Sequence, residues 1–273
     1  MHGARMIAQV SAAAFLMSAP SAWAQDRQPP RTDAPALVMD KIILVGDSVM
    51  APNSGWGALF CAEHVASSVA CLNLGRGSRS TRSYRAEGSW SEALAEASVK
   101  GYQGVYVLIG FGHNDAHAPA ASPDRWTELD REFPDNLRRF VEELRAVGAH
   151  PVLTTPIARR TFEGARIVNK IAPYSDKVKA VAAETGTPLI DLNAISLRMY
   201  ETMGAETAER YAEAPRNAPP TPNAPAAADA PGYRFTRKFD NIHLGDQGAP
   251  IFASVMAREL ARVVPELRPR LAP

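Results

Sequence analysis

Three short stretches of this chain carry side chains able to do chemistry. Gly46-Asp47-Ser48-Val49 offers a serine hydroxyl, Gly112-His113-Asn114-Asp115 offers a carboxamide donor, and Asp240-Asn241-Ile242-His243 places a carboxylate three residues before an imidazole. An acid at that spacing in a loop can accept from one ring nitrogen while the other ring nitrogen faces a nucleophile, as in a Ser-His-Asp relay. Each stretch also has a common structural use. Gly-Asp-Ser is a frequent helix-capping turn, Asn114 suits an Asx turn or cap, and Asp240 could be a capping carboxylate beside a surface histidine. Their order along the chain, rather than any one of them, favours chemistry.

Composition narrows the chemistry further. The 273 residues are 46% hydrophobic and 22% charged, with 30 Lys+Arg against 29 Asp+Glu and a net charge of +1. Nucleic acid or an anionic membrane would call for a surplus of clustered basic residues, so neither is expected as a partner. Two cysteines and six histidines, without a CxxC pair or HExxH, are too few closely spaced ligands for a zinc site, and no metal or cofactor is expected. Residues 1–24 run from His2 and Arg5 through the apolar stretch Met6 to Met17 to Ala22-Trp23-Ala24. This is the order of a signal peptide cut after Ala24, and the run of roughly 12 residues is shorter than the ~20 that span a bilayer. The expectation is a secreted or periplasmic protein, in which a Cys61–Cys71 disulfide becomes possible. Residues 25–39, rich in Pro, Arg and Asp, read as a disordered lead-in.

The elements that must position these residues alternate. Continuous apolar strands are expected at 41–46, 69–74, 104–110, 151–155 and 188–192. Helices are expected at 55–64, 89–99, about 125–147, 174–184 (ended by Gly186), 193–203 and 246–264, with Pro134 kinking the third or starting a second piece. Such a pattern gives a three-layer α/β/α fold around a five-stranded parallel sheet, whose ligand crevice lies at the carboxyl ends of the strands. All three chemical stretches come just after a strand or just before the last helix. Residues 214–231, with six Pro and seven Ala, suit a flexible surface insertion in a single domain spanning 40–273.

Gly-Asp-Ser after the first strand, the turn Asn73-Leu74-Gly75-Arg76-Gly77-Ser78 after the second, Gly-His-Asn-Asp after the third and Asp-x-x-His near the end together resemble the SGNH or GDSL hydrolase superfamily. Arg79-Ser80-Thr81-Arg82-Ser83-Tyr84, Glu87-Gly88 with Trp90, Thr155-Pro156 with Arg159, Arg160 and Phe162, and Pro188 to Leu192 look like the rhamnogalacturonan acetylesterase-like subgroup. The likeness runs from about Lys41 to the C-terminus, the Pro/Ala stretch excepted. It implies a flavodoxin-like fold with Ser48 as nucleophile, His243 as base and Asp240 as its orienting acid. It also implies an oxyanion hole made of the Ser48 N–H, an N–H of the second block and the Asn114 amide.

In one position the chain departs from that subgroup. The glycine that directly precedes Arg-Ser-x-Arg is Ser78 here, with Gly77 one step earlier, so the second-block donor could be Ser78, Gly77 or Gly75. Arg79, Arg82, Tyr84 and Trp90 could line the cleft, as aromatics stack on sugars and arginine forks match carboxylates. Equally, the aromatics could be packing residues and the arginines could bind loop carbonyls or Asp115. Arg159 and Arg160 could pair with acids on the surface. The expected substrate is an acetylated plant-type polysaccharide or oligosaccharide such as pectin. A lipid or thioester hydrolase and a non-catalytic carbohydrate-binding protein are the alternatives.

Overall fold

The computed structural model describes residues 39–217 and 239–272, which belong to the compact unit Val38–Pro273. The expected leader at 1–24, the expected lead-in up to residue 38 and the Pro/Ala-rich stretch beyond residue 217 lie outside the described residues.

Five parallel strands form the sheet: β1 (Asp40–Gly46), β2 (Val69–Asn73), β3 (Val105–Gly110), β4 (His150–Thr154) and, after a two-stranded antiparallel hairpin of β5 (Phe162–Glu163) and β6 (Arg166–Ile167), β7 (Leu189–Ile190). Among the described residues seven α-helices flank them, α1 (Gly57–Leu59, continued by a π-turn at Phe60–His64), α2 (Thr81–Ala86), α3 (Ser89–Ala97), α4 (Glu132–Ala146), α5 (Ala172–Thr185), α6 (Leu192–Glu209) and α7 (Gly248–Val263), and a 3₁₀ helix at Pro265–Arg270 follows. Strand side chains alternate between faces, so a run that is apolar throughout must be covered twice. Ile42 and Leu44 of β1 share one core with Phe60, Leu192, Phe252 and Met256 from the α1, α6 and α7 side. Ile43 and Val45 share the opposite core with Ala93, Phe140, Leu144 and Val178 from α3, α4 and α5.

The sheet order is β2-β1-β3-β4-β7. Its direction of winding reverses between β1 and β3, and such a reversal opens a crevice beyond the carboxyl ends of those two strands. Ser48 lies just after β1 and Asn114 just after β3, so the topology alone brings them to one place.

Several elements differ from the sequence expectation. The long helix begins at Glu132 rather than near residue 125, and Pro134 sits in its first turn, where an absent N–H costs no helical hydrogen bond. The last strand stops at Ile190 because the Asp191 carboxylate caps α6, accepting from the Ala194 N–H at 3.1 Å and from Thr155 Oγ1 at 3.0 Å. Helix α6 continues past residue 203 to Glu209, with a break at Gly204, where φ is +75°. Helix α2 was not anticipated, although Ser80 and Ser83 form a reciprocal cap at its start. Nor are the first residues of the Pro/Ala stretch wholly solvated: Ala214 is buried and Arg216 donates to Glu209.

Cys61, in the π-turn, and Cys71, in β2, are joined in a disulfide with a Cα–Cα distance of 5.5 Å. It ties the first crossover to an edge strand. Closing a loop of this size restricts the unfolded chain and contributes roughly 2–3 kcal/mol. Replacing both cysteines by alanine should lower thermal stability by about that amount in calorimetry or denaturant unfolding. An unchanged midpoint would mean that the crossover is held without the bridge.

Candidate active site

The turn after β1 reconciles the two uses of Gly-Asp-Ser. Asp47 does the capping: its Oδ1 accepts from the Val49 N–H at 3.0 Å and its carbonyl from the Met50 and Ala51 N–H groups, both at 3.1 Å. Ser48 is left with its hydroxyl free to face the crevice, and its carbonyl is held by Ser54 Oγ at 2.7 Å. Burial raises the Asp47 carboxyl to about 6, against the pull of the Val49 N–H and of His243.

From the far end of the chain, the loop before α7 delivers the partners. His243 Nε2 lies 2.7 Å from Ser48 Oγ, and His243 Nδ1 lies 2.5 Å from Asp240 Oδ2. Asp240 Oδ1 accepts from the N–H groups of Ile242 and His243 at 2.8 and 2.7 Å, so the carboxylate is held on both oxygens. Because a carboxylate only accepts, Nδ1 carries the proton and Nε2 accepts from the serine. Burial works against the Asp240 charge, but the hydrogen bond and charge of His243 outweigh it and hold the carboxyl at about 2. For His243, burial pulls downward, yet Asp240 prevails and the ring sits above its ordinary value.

Arg160 holds this loop in place. It is 5% exposed, and its guanidinium donates to the carbonyls of Asp240, Ile242 and His243 at 3.1, 3.2 and 2.7 Å. Its backbone N–H donates to Asn241 at 2.8 Å, and Asn241 Nδ2 donates to Thr161 Oγ1 at 2.7 Å. Among the described residues Arg160 makes no ion pair; its guanidinium is spent on these loop carbonyls, whose lone pairs a planar fork can satisfy together.

The second and third chemical stretches are joined through Asp115. Its fully buried carboxylate accepts from the Thr81 N–H at 3.1 Å, Thr81 Oγ1 at 2.6 Å and Thr127 Oγ1 at 3.0 Å. Even so, burial dominates and lifts this carboxyl to about 7. Asn114 Nδ2 donates one hydrogen to the Arg79 carbonyl at 3.1 Å, which orients the amide and leaves its second hydrogen available.

Of the three backbone donors considered for the second block, Gly75 is committed, since its N–H donates to Asn73 Oδ1 at 3.0 Å. Ser78 has φ +64°, the only positive φ of a non-glycine among the described residues. Serine therefore adopts the left-handed conformation that a glycine would take at this turn. The N–H groups of Ser48, Gly77 and Ser78 have no acceptor among the described residues.

Two of the expected cleft residues are not in the cleft. Tyr84 is wholly buried and donates to the Leu74 carbonyl at 2.8 Å. Trp90 is 4% exposed, packs against Phe140 and donates to Glu143. Both sit in the α3/α4 core, Tyr84 on the inward side of α2 and Trp90 in the first turn of α3, which strand and helix periodicity alone did not reveal. Arg82 forms a two-pronged pair with Glu132, and Arg79 donates to Glu87 at 2.8 Å and to the Gly77 carbonyl at 2.9 Å. Glu213 was not anticipated at all. Its carboxylate lies within 4.8 Å of ligand atoms of Asp240 and His243, but the imidazole Nδ1 is already committed to Asp240, so the group adds negative charge near the ring rather than a ready metal centre.

A family model described as GDSL-like lipase/acylhydrolase matches residues 44–251. The rhamnogalacturonan acetylesterase RhgT of Bacillus subtilis is 36% identical over 178 residues, 62% of this chain and 72% of its own length. A probable rhamnogalacturonan acetylesterase of the same organism, YesY, is 30% identical over 176 residues, covering 62% and 78% of the two chains. Among solved structures, the YxiM protein of Bacillus subtilis superposes with a TM-score of 0.61 at 23% identity, over 82% of this chain but only 57% of its own. An acetylxylan esterase from Geobacillus stearothermophilus superposes with a TM-score of 0.56 at 18% identity, over 83% and 96% of the two chains. These structural likenesses bear on the fold.

The left-handed turn at Ser78 makes a stability prediction. A non-glycine in this conformation costs about 1–2 kcal/mol, partly offset by the greater freedom of glycine in the unfolded chain. Ser78→Gly should therefore gain up to about 1 kcal/mol in denaturant unfolding. A loss of stability would show that the serine side chain, not its backbone strain, governs the turn.

Proposed function

The chain belongs to the GDSL-like lipase/acylhydrolase family, and we propose that it is a serine esterase that removes acetyl groups from a carbohydrate, with acetylated rhamnogalacturonan or a related pectic polymer as substrate. The observation that carries this reading is the hydrogen-bonded line from Ser48 Oγ through His243 to Asp240, at 2.7 and 2.5 Å. The relatives named as rhamnogalacturonan acetylesterases support the carbohydrate and its acetyl group.

The steps follow from which atoms can give and take a proton. His243 Nε2 takes the Ser48 proton as Oγ adds to the ester carbonyl, and the imidazolium that forms is stabilised by Asp240. The carbonyl oxygen, now negative, is held by the Ser48 N–H, the Ser78 or Gly77 N–H and the free hydrogen of the Asn114 amide. As the intermediate collapses, Nε2 returns the proton to the sugar oxygen, which departs as a hydroxyl and leaves acetyl on Ser48. Water then repeats the sequence, giving up a proton to His243 and releasing acetate.

A lipid or thioester hydrolase would call for an aliphatic acyl channel. The cavity beside the Ser48 turn, bordered by Asp47, Val49, Met50, Trp56, His113 and Ile157, holds only about 20 Å³ and is no such channel. Export to a periplasm or the exterior is part of the proposal. It rests on the leader-like residues 1–24 and agrees with the Cys61–Cys71 bridge.

Two outcomes are expected. Ser48→Ala should reduce acetate release from acetylated rhamnogalacturonan by at least ~10⁴-fold with the melting temperature little changed, as befits loss of a nucleophile. Substantial residual turnover, or preference for long-chain p-nitrophenyl esters over acetate, would overturn the reading. The acid limb of the pH–rate profile should lie above pH 6.5, since only neutral His243 is a base and its folded value is raised. A midpoint at or below 6.5 would mean that the Asp240 charge does not govern the ring.

A further inference from the structure

Arg159 is an arginine at the site that no carboxylate among the described residues contacts. It follows β4 and lies beside the loop that carries Asn114, with Nη2 3.4 Å from the His113 carbonyl, a long contact. Its Nε is buried and has no hydrogen-bond partner, and among the described residues no carboxylate forms an ion pair with it. The arginines of the turn after β2 and of α2 are neutralised: Arg79 by Glu87, Arg82 by Glu132 and Arg85 by Glu143. Asp47 is the acid whose charge reaches Arg159, but it is spent on the turn that holds Ser48. Burial pushes the Arg159 guanidinium down from the usual arginine range, as expected for a cation partly stripped of water and not repaid by a contact.

The backbone around this cation is fixed on both sides. The Ala158 N–H donates to Ser196 Oγ at 2.8 Å, the Arg160 N–H to the Asn241 carbonyl at 2.8 Å and the Thr161 N–H to the Arg159 carbonyl at 2.7 Å. Its neighbour His113 is 4% exposed and held neutral, lowered to about 3 chiefly by burial and then by the charges of Arg159 and His243, so it does not compete for an anion. A planar fork held this way, one residue from the amide of Asn114, has the chemistry to receive a carboxylate.

We propose that Arg159 is a specificity-determining residue that receives the carboxylate of a uronic acid unit in the substrate whose acetyl group Ser48 attacks. The proposal deepens the carbohydrate acetylesterase reading and rests on it for the identity of the polymer, but not for the anion site. Arg159→Gln keeps the polar bulk while removing the charge and the fork.

The test compares the wild-type protein with this variant on two ligands. Binding of digalacturonate, which carries carboxylates but no acetyl group, is measured by calorimetry and should weaken roughly 10- to 100-fold in the variant, the worth of a charge-assisted hydrogen-bonded pair. Acetate release is then measured from acetylated rhamnogalacturonan oligosaccharides and from the same oligosaccharides after reduction of their carboxyl groups. Wild type should prefer the acidic form by a similar factor in kcat/KM, and the variant should lose that preference. Equal digalacturonate binding by the two proteins, or an equal fall in kcat/KM on both oligosaccharides, would overturn the proposal and assign Arg159 to holding the His113 loop. Digalacturonate binding that depends on Arg159 without any acetate release would instead keep the anion site and refute the esterase reading.

Discussion

A hydrogen bond of 2.7 Å joins Ser48 Oγ to His243 Nε2 across 195 residues of sequence. Nothing local holds these atoms together, and a misplacement of about 1 Å is enough to spoil proton transfer. The serine is fixed by the turn that ends β1, where Asp47 ties down the following N–H groups. The histidine is fixed by a loop whose carbonyls converge on the Arg160 guanidinium, which is anchored next to β4. The parallel sheet is the common frame. Its strand order sets β1, β3 and β4 side by side, with their carboxyl ends facing the same crevice.

This arrangement buries more charge than packing alone would favour. Asp47 and Asp115 are both shielded from water and both raised, to about 6 and about 7. A carboxyl raised on folding favours the folded state most below its unfolded value and loses that contribution as pH rises through the folded value. Near neutrality, therefore, these two acids stand as a cost, offset by the hydrogen bonds that order the Ser48 turn and the start of α2. Asp240 works the other way: its folded value is depressed, and its contribution is lost only as pH falls toward about 2. The site thus concentrates groups whose ionisation differs from that in water, a common mark of acid-base chemistry.

The arginines show how position divides one residue type among several tasks. Arg82 and Arg85 close pairs with glutamates, Arg160 gathers carbonyls, and Arg159 retains a half-buried charge that no carboxylate among the described residues contacts. Spacing cannot separate Arg159 from Arg160, since they are neighbours in one loop. What separates them is which elements of the fold lie against each guanidinium.

Chain order and local chemistry made much of this protein legible. Runs such as Ile42 to Val45 are apolar on every residue because the sheet is covered on both faces, and that pattern reveals a parallel sheet. Asp240 and His243 are three residues apart, close enough for local geometry to set their hydrogen bond, so that relation too could be read from spacing. The burial of Tyr84 and Trp90, the commitment of the Gly75 N–H to Asn73, the left-handed backbone at Ser78 and the roles of Arg159 and Arg160 could not. Most of these depend on contacts between segments distant in sequence or on a backbone angle that residue type does not dictate; the Gly75 bond is local, but residue type alone does not choose it over the other donors of the turn. Only the packed chain decides which donors are already satisfied and which are left facing the crevice.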